Sequence, residues 1–174
     1  VPGRMEPVDN NQGFDIYIDF AHTPNSLKQA LSSLKKKLAA KDKNGRLIAV
    51  YGSAGLRDQS KRPAMGWVGV ESADLVVFTA EDPRTENVWS IIRQMKEQLK
   101  TGHNKVVSIA DRKKAIEFAL RRLAEPGDTI GIFGKGPEKS MCYGTKEYPW
   151  SDRKATEDIL AEMAEKSWSS KAHK

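Results

Sequence analysis

A single cysteine, Cys142, excludes a disulfide framework and any thiolate-held metal cluster. Histidine is nearly as scarce: His22, His103 and His173 share no ligand spacing, so no metal site is expected. No apolar run reaches the length needed to cross a bilayer, and no signal peptide precedes Val1. The triphosphate-binding pattern GxxxxGK[ST] is missing throughout, which argues against a self-contained triphosphate site. Internal repeats are also absent. The expectation is a cytoplasmic domain with no membrane partner. Its start at Val1-Pro2-Gly3, without methionine, reads as a fragment or a processed piece.

Charge, by contrast, is plentiful. Of 174 residues, 30% are charged, with a net charge of +6 that comes partly from Lys35-Lys36-Lys37 and the 171–174 tail. Such a balance can mean nucleic acid, but no aromatic interleaving and no nucleic-acid motif accompanies it. A solvated face plus an anionic small ligand is the better account. The length suits one α/β domain with a sizeable core.

Strand-like and helix-like segments alternate. Short β-branched runs at 15–20, 46–51, 73–79, 105–109 and 128–134 predict strands. Between them, apolar residues at helical spacing mark amphipathic helices: Leu27, Ala30, Leu31, Leu34 and Leu38, then Val88, Ile91, Ile92, Met95 and Leu99, then Ala115, Ile116, Ala119, Leu120 and Leu123. Thr23 with Pro24 opens the first helix, Pro126-Gly127 stops the third, and Ser151 or Asp152 caps a last one. This alternation predicts a Rossmann-like, mostly parallel open sheet with helices on both faces. Residues 1–13 are expected to be an interdomain linker, 14–166 the domain itself, and 167–174 a disordered tail.

Three loops fall where strands end, the edge at which open α/β sheets bind ligands. In 52–63, small residues accompany Arg57, Lys61 and Arg62, which supply positive charge. In Glu81-Asp82-Pro83-Arg84-Thr85-Glu86, Arg84 is suited to gripping a carboxylate through two parallel hydrogen bonds. Its bland alternative is a loop arginine paired with Asp82 or Glu86. In Gly134-Lys135-Gly136-Pro137-Glu138, Glu138 can accept from an ammonium group; the bland alternative is a tight turn with a surface glutamate. Arginines for carboxylates and a carboxylate for an amine together suggest a zwitterionic amino acid. Asp19 and His22, where the first strand turns into its helix, suit ribose hydroxyls and phosphate, or else simply bond the loop backbone.

These motifs, with Gly3-Arg4-Met5-Glu6 before them and 148–153 after, run in order along nearly the whole chain. They resemble the C-terminal domain of the Mur ligases, the branch that adds a diamino acid to UDP-MurNAc-L-Ala-D-Glu in peptidoglycan synthesis. The resemblance implies that Arg57, Glu81, Asp82, Pro83, Arg84, Gly134 and Glu138 bind the incoming diamino acid. It also implies that Arg4, Asp19 and His22 reach the nucleotide, with ATP and Mg2+ held mainly by a central domain outside this chain, and with catalysis residing there. Two departures stand out. Glu81-Asp82 replaces the family's Asp-Asn, and an acid in place of the amide favours a cationic side-chain end, as in lysine, whereas Arg84 favours the second carboxylate of meso-diaminopimelate. Pro137 replaces the usual histidine. The competing expectations are a ligase for a cyanophycin- or folate-type acceptor and a stand-alone binding or regulatory module.

Overall fold

The apolar runs assemble into a six-stranded sheet in a computed structural model that describes residues 1–41 and 44–172. The strands are β1 (Glu6–Pro7), β2 (Asp15–Asp19), β3 (Leu47–Tyr51), β4 (Leu75–Phe78), β5 (Val106–Ser108) and β6 (Thr129–Phe133). Their order is β1-β2-β6-β3-β4-β5, with β2, β6, β3, β4 and β5 parallel and β1 antiparallel at one edge. A second, two-stranded sheet is the hairpin of β7 (Ser140–Tyr143) and β8 (Lys146–Pro149).

Because the central strands are covered on both sides, their residues are apolar at consecutive positions and divide between two cores. Leu47, Ala49 and Tyr51 of β3 face α1 (Pro24–Lys41), α2 (Arg62–Ser72) and α3 (Val88–Lys96). Ile48 and Val50 face α4 (Arg112–Phe118) and α5 (Asp152–Ala172) instead. The stripe expected on α1 is buried in full, from Leu27 through Leu38. Thr23 and Ser26 exchange capping bonds ahead of it, and the Ser151 hydroxyl accepts from Lys154 N–H at the head of α5.

Two expected boundaries change. Residues 1–13 are not a bare linker: β1 pairs with β2, Val8 is buried, and Arg153 of α5 holds Glu6 at 2.5 Å. The tail expected to be disordered from 167 is helical through Ala172, because Ala, Glu, Met and Lys dominate 161–166 and carry α5 onward into an exposed extension. Exposed Trp168 lies on this extension, while His173 and Lys174 are outside the described residues.

Helix α2 can lie close to its neighbours only because it carries Gly66 and Gly69. A Cβ on Gly66 would meet the Met95 carbonyl at 1.8 Å, and one on Gly69 the Tyr51 hydroxyl at 2.0 Å. Alanine improves helix propensity by about 1 kcal/mol, but a backbone carbonyl cannot yield as a flexible side chain would. Gly66→Ala is therefore expected to destabilise the chain by about 1–3 kcal/mol, read from its urea midpoint.

Candidate functional site

Parallel strands end at one edge, so the loops after β2, β3, β4 and β6 meet there. They enclose a cleft of about 390 Å³ lined by Arg57, Glu81, Asp82, Arg84, Gly134 and Glu138, with His22 and Lys61 beside them. Six of the seven residues expected to bind the amino acid thus converge. Pro83, the seventh, is buried and does not line the cleft. Arg62, expected to supply charge to a ligand, is fully buried and does not line it either.

The arginine at the centre of the 81–86 loop is held in an unusual backbone. Asp82 and Arg84 have φ of +39° and +55°, sparsely populated for residues with side chains. The β7–β8 hairpin maintains them: Arg84 N–H donates to Cys142 O at 3.1 Å, and Gly144 N–H donates to Arg84 O at 2.8 Å. Arg84 Nη1 then donates to Gly55 O at 2.8 Å, joining the second loop to the first.

Neither local acid pairs with Arg84. Asp82 is taken by Lys135, whose Nζ lies 2.8 and 2.9 Å from its two oxygens, and it also accepts from Cys142 N–H at 2.8 Å. Glu86 is taken by buried Arg62 through two bonds of 2.9 Å, and it accepts Leu56 N–H at 2.7 Å. Arg84 and exposed Arg57 therefore have no carboxylate partner among the described residues. The acid that replaces the family's amide is already neutralised, so Asp82 does not present a free charge to a cationic substrate end. Burial works against the Lys135 ammonium, yet Asp82 and Glu138 hold its pKa above the ordinary value. Glu138 lies 2.5 Å from Lys135 while keeping 40% of its side chain exposed to the cleft.

Glu81 is different. Only 6% exposed, it has one oxygen, Oε2, with no hydrogen-bond partner. Gly134, at φ +107°, admits that carboxylate: a Cβ there would sit 2.3 Å from Oε2. Burial pushes the Glu81 pKa up to about 7, against the pull of Arg112, Lys61 and Lys135 and with help from Asp82. Since the folded value lies above the unfolded one near 4.5, stability is full below about pH 4.5 and declines as pH rises towards 7. The expected loss is on the order of 3 kcal/mol across that window. Glu81→Gln should flatten this component, which urea midpoints of both proteins between pH 4.5 and 8 would show.

On the side expected to face a nucleotide, Asp19 accepts Ala21 N–H and Met5 N–H at 2.8 Å each. Its carboxylate therefore shapes the turn and ties it to the first residues of the chain. Exposed Arg4 stands 5.2 Å over the Phe20 ring, and His22 Nδ1 lies 3.0 Å from Phe20 O. Among the described residues no group of three or more His, Cys, Asp or Glu side chains is placed to hold a metal ion, and no helix is long and apolar enough to cross a membrane.

Three supporting roles carry no signal in the sequence, although Arg62 itself is read there as a charge for the ligand. Lys135 and Arg62 select the acids described above. Arg112, 1% exposed, binds Asp152 through two bonds of 2.8 Å and also caps Ala80 O and Phe133 O, the strand-end carbonyls beneath the cleft. A basic residue opening an amphipathic helix gives no sign of this role.

Residues 3–136 match the family model described as Mur ligase, glutamate ligase domain. A UDP-N-acetylmuramoyl-L-alanyl-D-glutamate–2,6-diaminopimelate ligase of Caldanaerobacter subterraneus is 41% identical over 93% of this chain and 32% of its own length. A UDP-N-acetylmuramyl-tripeptide synthetase of Roseiflexus is 37% identical over 94% of this chain and 32% of its own length. A solved structure of a UDP-N-acetylmuramoyl-L-alanyl-D-glutamate–2,6-diaminopimelate ligase superposes with a TM-score of 0.85 at 30% identity, covering 94% of this chain and 32% of that one. The chain thus spans about a third of the length of these relatives. Its five parallel strands, its loop motifs and this match together place the chain in the Mur ligase family.

Proposed function

We propose that this chain is the amino-acid-binding domain of an ATP-dependent ligase that adds meso-diaminopimelate to UDP-MurNAc-L-Ala-D-Glu in the cytoplasm. One observation carries the reading: two arginines without carboxylate partners among the described residues and the part-exposed Glu138 carboxylate line the same cleft. That arrangement complements a diamino acid with two carboxylates. Arg57 takes the carboxylate at the reacting end, and Arg84 grips the distal one with its planar fork. Glu138 accepts from an ammonium group, and buried Glu81 shapes the floor beside Gly134. The unpaired Arg84 favours this ligand over lysine, and it favours this ligase over a folate or cyanophycin type or a stand-alone module.

Holding the amine at one position relative to an activated acyl group is this domain's contribution to the rate. The chemistry that ATP and Mg2+ would supply is activation of the acceptor carboxylate as its acyl phosphate. Arg4 and His22 are the groups of this chain that would hold the nucleotide's phosphates. Arg4, exposed and without a carboxylate partner among the described residues, fits an anion. The Asp19 carboxylate, bound to two backbone N–H groups, orients the turn that carries His22. Binding can be tested by calorimetry of this chain with meso-diaminopimelate, L-lysine and L-ornithine. Preference for meso-diaminopimelate is the expected result. Preference for either other amino acid would contradict the assignment.

A further inference from the structure

The acids flanking Arg84 would ordinarily be its partners, since Asp82 and Glu86 each lie two residues away. Both are instead bound by cations brought in from other loops. Lys135 comes from the loop after β6, and its side chain is almost fully buried against Asp82. Arg62 comes from the head of α2 and holds Glu86. The Arg84 guanidinium is left with backbone carbonyls only, Gly55 O at 2.8 Å and Asp82 O at 3.4 Å.

We infer that Lys135 is a specificity-determining positioning residue: by holding the Asp82 carboxylate, it keeps Arg84 unpaired for a carboxylate at the far end of the substrate. The inference rests on the proposed amino-acid site and names what sets its preference. Without Lys135, the nearest remaining cation on the loop for Asp82 is Arg84 itself. An Asp82–Arg84 pair would fill the fork that the distal carboxylate needs and leave a negative charge facing that carboxylate. A ligand ending in an ammonium, such as L-lysine, has no use for the fork and is drawn towards a free Asp82. Lys135 thus acts through Asp82 and Arg84, without contact to the ligand. An asparagine at position 82 would make it dispensable for selectivity.

The test is calorimetric affinity of the full chain for meso-diaminopimelate and for L-lysine in four proteins: wild type, Lys135→Met, Asp82→Asn, and the double variant. In Lys135→Met, the affinity ratio of meso-diaminopimelate to L-lysine should fall roughly tenfold or more, the worth of one charge-assisted interaction. Restoration of that ratio in Lys135→Met with Asp82→Asn is expected, because the Asp82 charge is gone, while Glu138, which Lys135 also holds, faces an ammonium that both amino acids carry. Should Lys135→Met fail to fold, Lys135→Gln takes its place: a ratio lowered in that variant and restored by adding Asp82→Asn supports the inference, and a ratio unchanged in it overturns it. Equal weakening of both amino acids in Lys135→Met would show a merely structural role and overturn it. A wild type that binds meso-diaminopimelate with variants that leave the ratio unchanged contradicts this inference only. A wild type that binds neither amino acid contradicts the functional reading, and the inference with it.

Discussion

Arg84→Ala is expected to weaken meso-diaminopimelate binding by about 10- to 100-fold, the worth of a hydrogen-bonded pair between charged groups. The mutation removes a guanidinium that bridges the two loops and has no carboxylate partner among the described residues. L-lysine has no second carboxylate, so its affinity should change far less, by about threefold at most on the scale of neutral hydrogen bonds. Arg84→Lys should fall between, because an ammonium keeps the charge but loses the planar fork. Isothermal calorimetry of the three proteins separates these outcomes. Stability should alter little: the side chain is half-buried, and its bonds to Gly55 O and Asp82 O are replaceable by water.

The second large effect concerns the floor of the cleft. Arg112→Met is expected to destabilise the chain by about 3–5 kcal/mol, because it leaves Asp152 as an uncompensated charge at 0% exposure. It also strips a donor from Ala80 O and Phe133 O, and among the described residues Trp150 Nε1, at 2.9 Å from Asp152 Oδ1, is the side-chain donor that remains to the carboxylate. For a chain of this size that corresponds to a fall of about 10 °C in the thermal midpoint. Arg112→Met combined with Asp152→Leu should recover much of the loss, since the cost comes from breaking the pair and not from lacking it. Differential scanning calorimetry of single and double variants is the check. A double variant no better than the single would mean that the carbonyl caps dominate.

Periodicity made the five parallel strands and the helices α1, α3 and α4 legible, but neither β1 nor α2. The stripe Leu27, Ala30, Leu31, Leu34 and Leu38 is buried as the helical spacing requires, and the central strands are continuous apolar runs. The β7–β8 hairpin was not legible, because β8 is exposed and charged, without the alternation that marks a half-buried strand. Its turn at Gly144-Thr145 gives only a weak signal. Most of the cleft's lining was legible, six of the seven expected residues with Pro83 the exception, since parallel strands must bring their carboxyl-end loops together. Its electrostatics were not. Lys135 finds Asp82 across 53 residues, Arg112 finds Asp152 across 40, and Arg62 finds Glu86 across 24. Which cation takes which acid follows from packing, and one-dimensional spacing carries no trace of it. That is why Asp82, which reads as a free acid in the pocket, is instead held in an ion pair with Lys135.

The most direct test of the central claim is where meso-diaminopimelate lands on this chain, read from backbone amide chemical shifts during a titration. Perturbations are expected to concentrate in 54–58, 81–84 and 134–138 and to be absent in Arg84→Ala at the same ligand concentration. Saturable shifts centred elsewhere, for instance around Trp150 and Lys154 at the head of α5, would contradict it, as would a wild-type spectrum that does not change.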